Sequence, residues 1–166
     1  MTLYLDLDGV LADFDARVRA LFGRAPEELR LDEMWRRAEG TPGFFEHMPK
    51  TPDADELWAF CQPFDPQILT GLPRGDWAAE QKRRWVARHL GADVPVITCL
   101  AREKCVYAAP GDVLVDDRTR YAHLWEAQGG IFVPHTSAAA SIAALRELGF
   151  APSGGGVPGS RSGSRP

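Results

Sequence analysis

Asp6 and Asp8 close the short apolar run that begins at Leu3, and Gly9 follows at once. Side chains two residues apart on a strand share a face, so both carboxylates aim at one point. Converging carboxylates repel unless one takes a proton or a cation sits between them. A hard divalent cation resolves that conflict because it takes oxygen ligands. Three more apolar runs end in polar groups. Val113-Leu114-Val115 ends in Asp116-Asp117, Ile68-Leu69 ends in Thr70-Gly71 with Arg74 just beyond, and Lys104 lies a little downstream of Val96-Ile97. This set suits phosphoryl transfer. A phosphomonoester is dianionic, so an anionic nucleophile must be shielded from it. A magnesium ion held by Asp6 and the Asp116-Asp117 pair could bridge the two. Thr70 and the backbone amides beside Gly71 can donate to phosphate oxygens, and Lys104 supplies a point charge. Asp8 is placed to protonate the departing oxygen and later to take a proton from water, help worth roughly 10²–10⁴-fold. Each piece has a plainer reading. Thr70 could cap a turn, Lys104 could be a solvated helix residue, and Asp116-Asp117 could cap the following helix, which does not exclude metal binding.

The elements that must carry these groups follow from periodicity. Apolar segments at 3–7, 66–69, 94–98, 113–115 and 131–133 predict strands, and several run without alternation, as strands buried on both faces do. Helical spacing over 12–22, 53–61, 77–90, 118–127 and 137–148 fills the intervals, with stops at Gly91, Gly129-Gly130 and Gly149. Strands alternating with helices predict an α/β fold, a Rossmann-like three-layer parallel sheet, with ligands beyond the carboxyl ends of the strands. The mostly polar stretch 27–43, with Leu29, Leu31, Met34 and Trp35, reads as an insert. A small helical cap over 23–52 is therefore expected on a core of 1–22 and 53–150. Residues 44–49 read as an extended apolar connector. The Gly, Ser, Pro and Arg-rich stretch 151–166 is expected to be disordered, since it cannot repay its ordering entropy. Lys82 lies among Gln81, Arg83 and Arg84 on a helix, where a solvated face competes with a role in the site.

At 166 residues, 45% hydrophobic and 25% charged, the chain suits one domain with a real core. A net charge of -4 excludes the electrostatic footprint of a duplex-DNA or acidic-membrane binder. Three cysteines without a CxxC and four scattered histidines suggest neither a disulfide framework nor a zinc site. No apolar stretch approaches membrane-spanning length, and the chain opens into a strand rather than a signal peptide, so the cytoplasm is the expected location. The expected partner is a small-molecule phosphate ester, with no nucleic-acid polymer and no membrane, and the chain is expected to be a monomer or homodimer.

At Asp6-Leu7-Asp8-Gly9-Val10, Ile68-Leu69-Thr70-Gly71, Lys104 and Leu114-Val115-Asp116-Asp117-Arg118, the chain resembles the haloacid dehalogenase-like superfamily of aspartate-nucleophile phosphatases. The start through Phe14, the Phe44-Phe45-Glu46 segment and Lys82-x-x-Trp85-Val86 ending in His89-Leu90-Gly91 are similar to its 5'(3')-deoxyribonucleotidase branch, as is the 98–104 stretch. The likeness runs from residue 3 to about 135. It implies that Asp6 is a nucleophile forming an aspartyl-phosphate. It implies that Asp8 is the acid/base and offers its backbone carbonyl to Mg²⁺, that Thr70 and Lys104 hold phosphate, and that Asp117 completes the metal shell beside Asp116. Arg74 falls where the family has a phosphate-facing lysine, and Phe14 where an aromatic lies near the nucleobase. The chain departs from the pattern at Gly71, where the family has a small hydroxyl residue. Its insert is also short, reducing an aromatic cluster to Trp35 with Met34. The expected activity is magnesium-dependent hydrolysis of (deoxy)nucleoside 5'-monophosphates. Sugar phosphates or other small esters, a metal- and nucleotide-binding regulator without turnover, and a phosphate-transferring mutase are the alternatives.

Overall fold

Leu3–Leu5 (β1) is buried at every residue, as a strand in the middle of a covered parallel sheet must be. A computed structural model describes residues 1–151, so the expected tail falls outside the described residues apart from Ala151. Four further strands, Gln67–Gly71 (β2), Val96–Cys99 (β3), Val113–Asp116 (β4) and Ile131–Pro134 (β5), complete a sheet in the order β3-β2-β1-β4-β5. All four pairings are parallel. The register sets Leu5 beside Ile68 on one side and beside Val115 on the other. The expected α/β parallel fold is therefore present.

The first strand is shorter than its apolar run. The Asp6 N–H still donates to Val115 O at 2.9 Å, but the N–H groups of Val10, Leu11 and Ala12 then converge on Leu7 O. That turn ends the ladder and swings the chain above the sheet.

Among the described residues, six α-helices connect and cover the strands: Phe14–Phe22 (α1), Leu31–Glu39 (α2), Ala54–Cys61 (α3), Ala79–His89 (α4), Ala122–Glu126 (α5) and Ala138–Glu147 (α6). α1 starts two residues later than the periodicity predicts because Asp13 caps it, its Oδ1 accepting from Ala16 N at 2.8 Å. Pro26–Glu28, Gln62–Phe64, Ala101–Tyr107 and Thr119–Tyr121 are 3-10 segments. The helix predicted over 118–127 is thus a 3-10 turn followed by the five residues of α5.

The two faces of the sheet are unequal. Leu3, Leu5, Ile68, Val113, Val115 and Val133 enter the large core, together with Leu57, Trp85 and Leu145 from the helices. The alternate residues Tyr4, Leu69 and Leu114 form a small second cluster with Trp125. α5 and the 3-10 helix Ala101–Tyr107, both short, contact β5 and β2 and each other. Residues 44–49 are not extended. Phe44 N donates to Thr41 O and His47 N to Gly43 O, a turn that Gly43 permits at φ 66. It drives Phe44 and Phe45 fully into the core, with ring centroids 5.1 Å apart. Among the described residues no helix is long and apolar enough to cross a membrane.

Candidate active site

The carboxyl ends of β1, β2 and β4 lie side by side, so the groups that follow them meet. Asp6 is 6% exposed. Gly9 turns the chain at φ 77, and a Cβ there would sit 2.3 Å from Asp117 Oδ2. Asp117 thus rests on bare backbone, an approach that only glycine permits. One carboxylate oxygen from each of Asp6, Asp116 and Asp117 lies within 4.8 Å of the others.

Two lysines hold these acids. Lys104, on the 3-10 helix after β3, places Nζ 3.0 Å from Asp6 Oδ1 and donates to Asp116 Oδ2 at 2.6 Å. Burial lowers its ammonium, but Asp6 and Asp116 outweigh that and hold it above the usual lysine value, so it stays charged. Lys82, on α4, is fully buried. Its Nζ donates to Asp8 Oδ2 at 2.7 Å, to Thr70 Oγ1 at 3.0 Å and to Gly71 O at 2.7 Å, which uses all three of its protons. It also lies 4.6 Å from the centroid of the Phe45 ring. One cation therefore ties Asp8, Thr70 and the end of β2 together.

Electrostatics explain the protonation states. Burial raises the Asp8 carboxyl, and Asp6 adds to the rise while Lys82 opposes it. The net upward shift favours a group that carries a proton to give. Burial and the Asp6 charge push Asp116 up to about 6 against the pull of Lys104. Burial, Asp6 and Asp116 push Asp117 up to about 7, with Arg118 opposing. A cluster in which every acid destabilises its neighbours fits a cation. Asp6 Oδ1 and Asp8 Oδ1 fit one too, being buried without an aligned hydrogen bond; the Lys104 contact to Asp6 Oδ1 is an ion pair without that alignment. Both oxygens of Asp116 are engaged, Oδ2 by Lys104 and Oδ1 by Arg118 N at 2.8 Å. Asp117 makes no hydrogen bond among the described residues, which favours it over Asp116 as the freer ligand.

These groups open into a cavity of about 200 Å³. Phe14 and Trp35, with ring centroids 5.6 Å apart, line it together with Gly71, Arg118, Arg120 and Tyr121. Arg74 does not line it. The loop after β2 turns outward, Arg74 is exposed, and its carbonyl accepts from Trp77 Nε1 at 3.2 Å. The expectation that Arg74 faces phosphate thus has no support in its position.

The chain is similar to known proteins. No protein-family model matches the chain. A Bordetella pertussis protein named "Putative 5'(3')-deoxyribonucleotidase" is 33% identical over 140 residues, which cover 71% of this chain and 74% of that protein. The human "5'(3')-deoxyribonucleotidase, cytosolic type" is 30% identical over 140 residues, 69% of each chain. The chain belongs to the 5'(3')-deoxyribonucleotidase-like family of the haloacid dehalogenase superfamily. Solved structures agree on the fold. A hydrolase of that superfamily from Ehrlichia chaffeensis superposes with a TM-score of 0.55 at 11% identity, over 89% of this chain and 96% of that one. An L-2-haloacid dehalogenase from Xanthobacter autotrophicus gives 0.52 at 17% identity, over 91% and 84%.

As a deoxyribonucleotidase-like protein the chain is a phosphatase, and hydrolases of this superfamily generally use a divalent metal. Sequence reasoning left Lys82 undecided between solvent and site. The signal was present: Trp85 and Val86 are both buried, and residues three and four apart share a helix face. Arg83 and Arg84 on the flanking positions are exposed and obscured it.

Proposed function

We propose that this phosphatase hydrolyses deoxynucleoside 5'-monophosphates through an aspartyl-phosphate on Asp6. The observation that supports this reading is the burial of Asp8 beside Asp6, which raises its carboxyl against the pull of Lys82 and so sets a proton donor next to the nucleophile. An Asp6 oxygen attacks phosphorus while the bond to the leaving oxygen breaks, and Asp8 gives that oxygen its proton. Asp8, now ionised, takes a proton from water as the water oxygen attacks phosphorus. Asp6 leaves as a carboxylate with inorganic phosphate released. Thr70, the amides beside Gly71, and Lys104 bind the phosphate oxygens throughout. Asp6, Asp117, Asp116 and the Asp8 carbonyl would hold Mg²⁺, which supplies charge neutralisation between nucleophile and phosphate.

The segment 23–52 acts as the small helical cap over the core of 1–22 and 53–150. Its Trp35, leaning on Phe14, offers the nucleobase an aromatic wall. The names of the Bordetella and human relatives support the nucleotide substrate, and the human name supports a cytosolic setting. The cavity volume favours one second reading, a smaller phosphate ester, because drug-sized sites are usually about 300–1,000 Å³.

A screen of phosphate release with Mg²⁺ tests both, using purine and pyrimidine deoxynucleotides, ribonucleotides and sugar phosphates. Deoxynucleoside 5'-monophosphates should be fastest. Sugar-selective or flat rates would overturn the nucleotide assignment, and binding without release from any ester would leave a regulatory protein in its place.

A further inference from the structure

The cavity that holds Asp6 and Asp8 has a second charged end. Arg102, Arg118 and Arg120 line it as well, with Tyr121 beside them. All three arginines are exposed, and they come from two different segments, the 3-10 helix after β3 and the turn after β4. Their ion pairs are few. Arg102 lies 3.9 Å from Glu103, its own neighbour, and among the described residues neither Arg118 nor Arg120 forms a salt bridge. Arg118 feels Asp117, and Arg120 lies 5.4 Å from the Tyr121 ring centroid. Guanidinium groups cannot shed their charge at working pH. Three of them line one opening, and Arg118 and Arg120 make no salt bridge among the described residues, so charge is left there for an anion. The reacting phosphate does not fill that role, because Thr70, Gly71 and Lys104 serve it at the strand ends. Arginine also suits a planar or tetrahedral oxyanion better than a bare cation does, since its fork donates two parallel hydrogen bonds.

We propose that this opening reads a second anionic group on the leaving part of the substrate, with Arg120 as its specificity-determining residue. Of two esters that differ only in that group, the one bearing a further phosphate or carboxylate is then preferred. The inference rests on the phosphatase reading of the same site and concerns what its leaving group carries.

Matched esters test it, assayed for phosphate release with Mg²⁺ on the full chain. Thymidine 3',5'-bisphosphate is compared with thymidine 5'-monophosphate, and 2-phosphoglycolate with ethyl phosphate. The first pair tests a second phosphate and the second pair a carboxylate. In at least one pair kcat/KM should be about tenfold higher for the doubly anionic ester, chiefly through KM. Arg120→Ala should bring that ratio toward one, and Arg120→Lys should keep part of it. Raising the salt concentration should shrink it, because exposed charges are screened. Ratios of one in both pairs, or a ratio that Arg120→Ala leaves unchanged, would overturn this inference alone. Failure to release phosphate from any ester would overturn the phosphatase reading and this inference together.

Discussion

The floor of the cavity and its opening are built on opposite principles. On the floor both lysines are committed: Lys82 spends its protons on Asp8, Thr70 and Gly71, and Lys104 bridges Asp6 and Asp116. At the opening Arg118 and Arg120 stand exposed with no salt bridge among the described residues, and the half-buried Trp35 leans on Phe14. A buried, interlocked cluster fixes atoms and so fixes a reaction type. An exposed cationic and aromatic margin adapts to what it meets and so decides which molecule reacts. Substitutions on the floor should therefore lower kcat, and those at the margin should raise KM.

Asp6→Asn is the severest break. Hydrolysis should fall by about 10⁴-fold or more with circular dichroism unchanged, and full activity would end its assignment as nucleophile. Lys82→Met comes next. It strands Asp8 without its cation, so kcat should drop about 10²-fold and unfolding should become easier by about 3 kcal/mol. Lys82→Arg should recover part of the activity, and a Lys82→Met enzyme with normal kcat would show that the pair serves folding only. At the margin, Trp35→Ala should raise KM for deoxynucleotides about fivefold and leave kcat within about twofold. A fall in kcat alone would move Trp35 to the floor's side of the division.

The smallest effect is on thermal stability. Asp116 and Asp117 are raised from 3.8 to about 6 and about 7. The folded chain then keeps protons that the unfolded chain releases, so their contribution is full below about pH 4 and is lost as pH rises through 6 and 7. Mg²⁺ relieves the repulsion that appears in that window. It should raise Tm by about 3–5 °C at pH 7.5 and by less than about 1 °C at pH 5. Equal gains at both pH values would put the ion elsewhere.

The floor was mostly legible from the chain because strand chemistry is local. An apolar run that ends in acids places those acids at a strand end, and the parallel order then gathers the ends. All five strands and the groups at Asp6, Asp8, Thr70, Lys104, Asp116 and Asp117 could be read that way. Lys82 was harder because its role depends on α4 packing its Trp85 face down, a tertiary fact. Arg74 is the opposite case. A cation just after β2 has the right place in the chain, but it is exposed and does not line the cavity, and Gly75 turns the chain beside it at φ 88. The turn at 44–49 escaped because two adjacent phenylalanines look the same in a strand as in a bend, and Gly43 decides between them. The opening escaped too, since its arginines come from two segments that only the fold brings to one cavity.

The strand order has a consequence for biosynthesis. β1 finds its β4 neighbour across 110 residues, with Leu3 opposite Val113. A nascent polypeptide therefore emerges from the ribosome with Asp6 and Asp8 long before Asp116 and Asp117 exist to join them. Until that late strand docks, two first-made acids have no distant counterparts, and partial chains cannot assemble the complete acid cluster. Competence therefore waits on the emergence of β4.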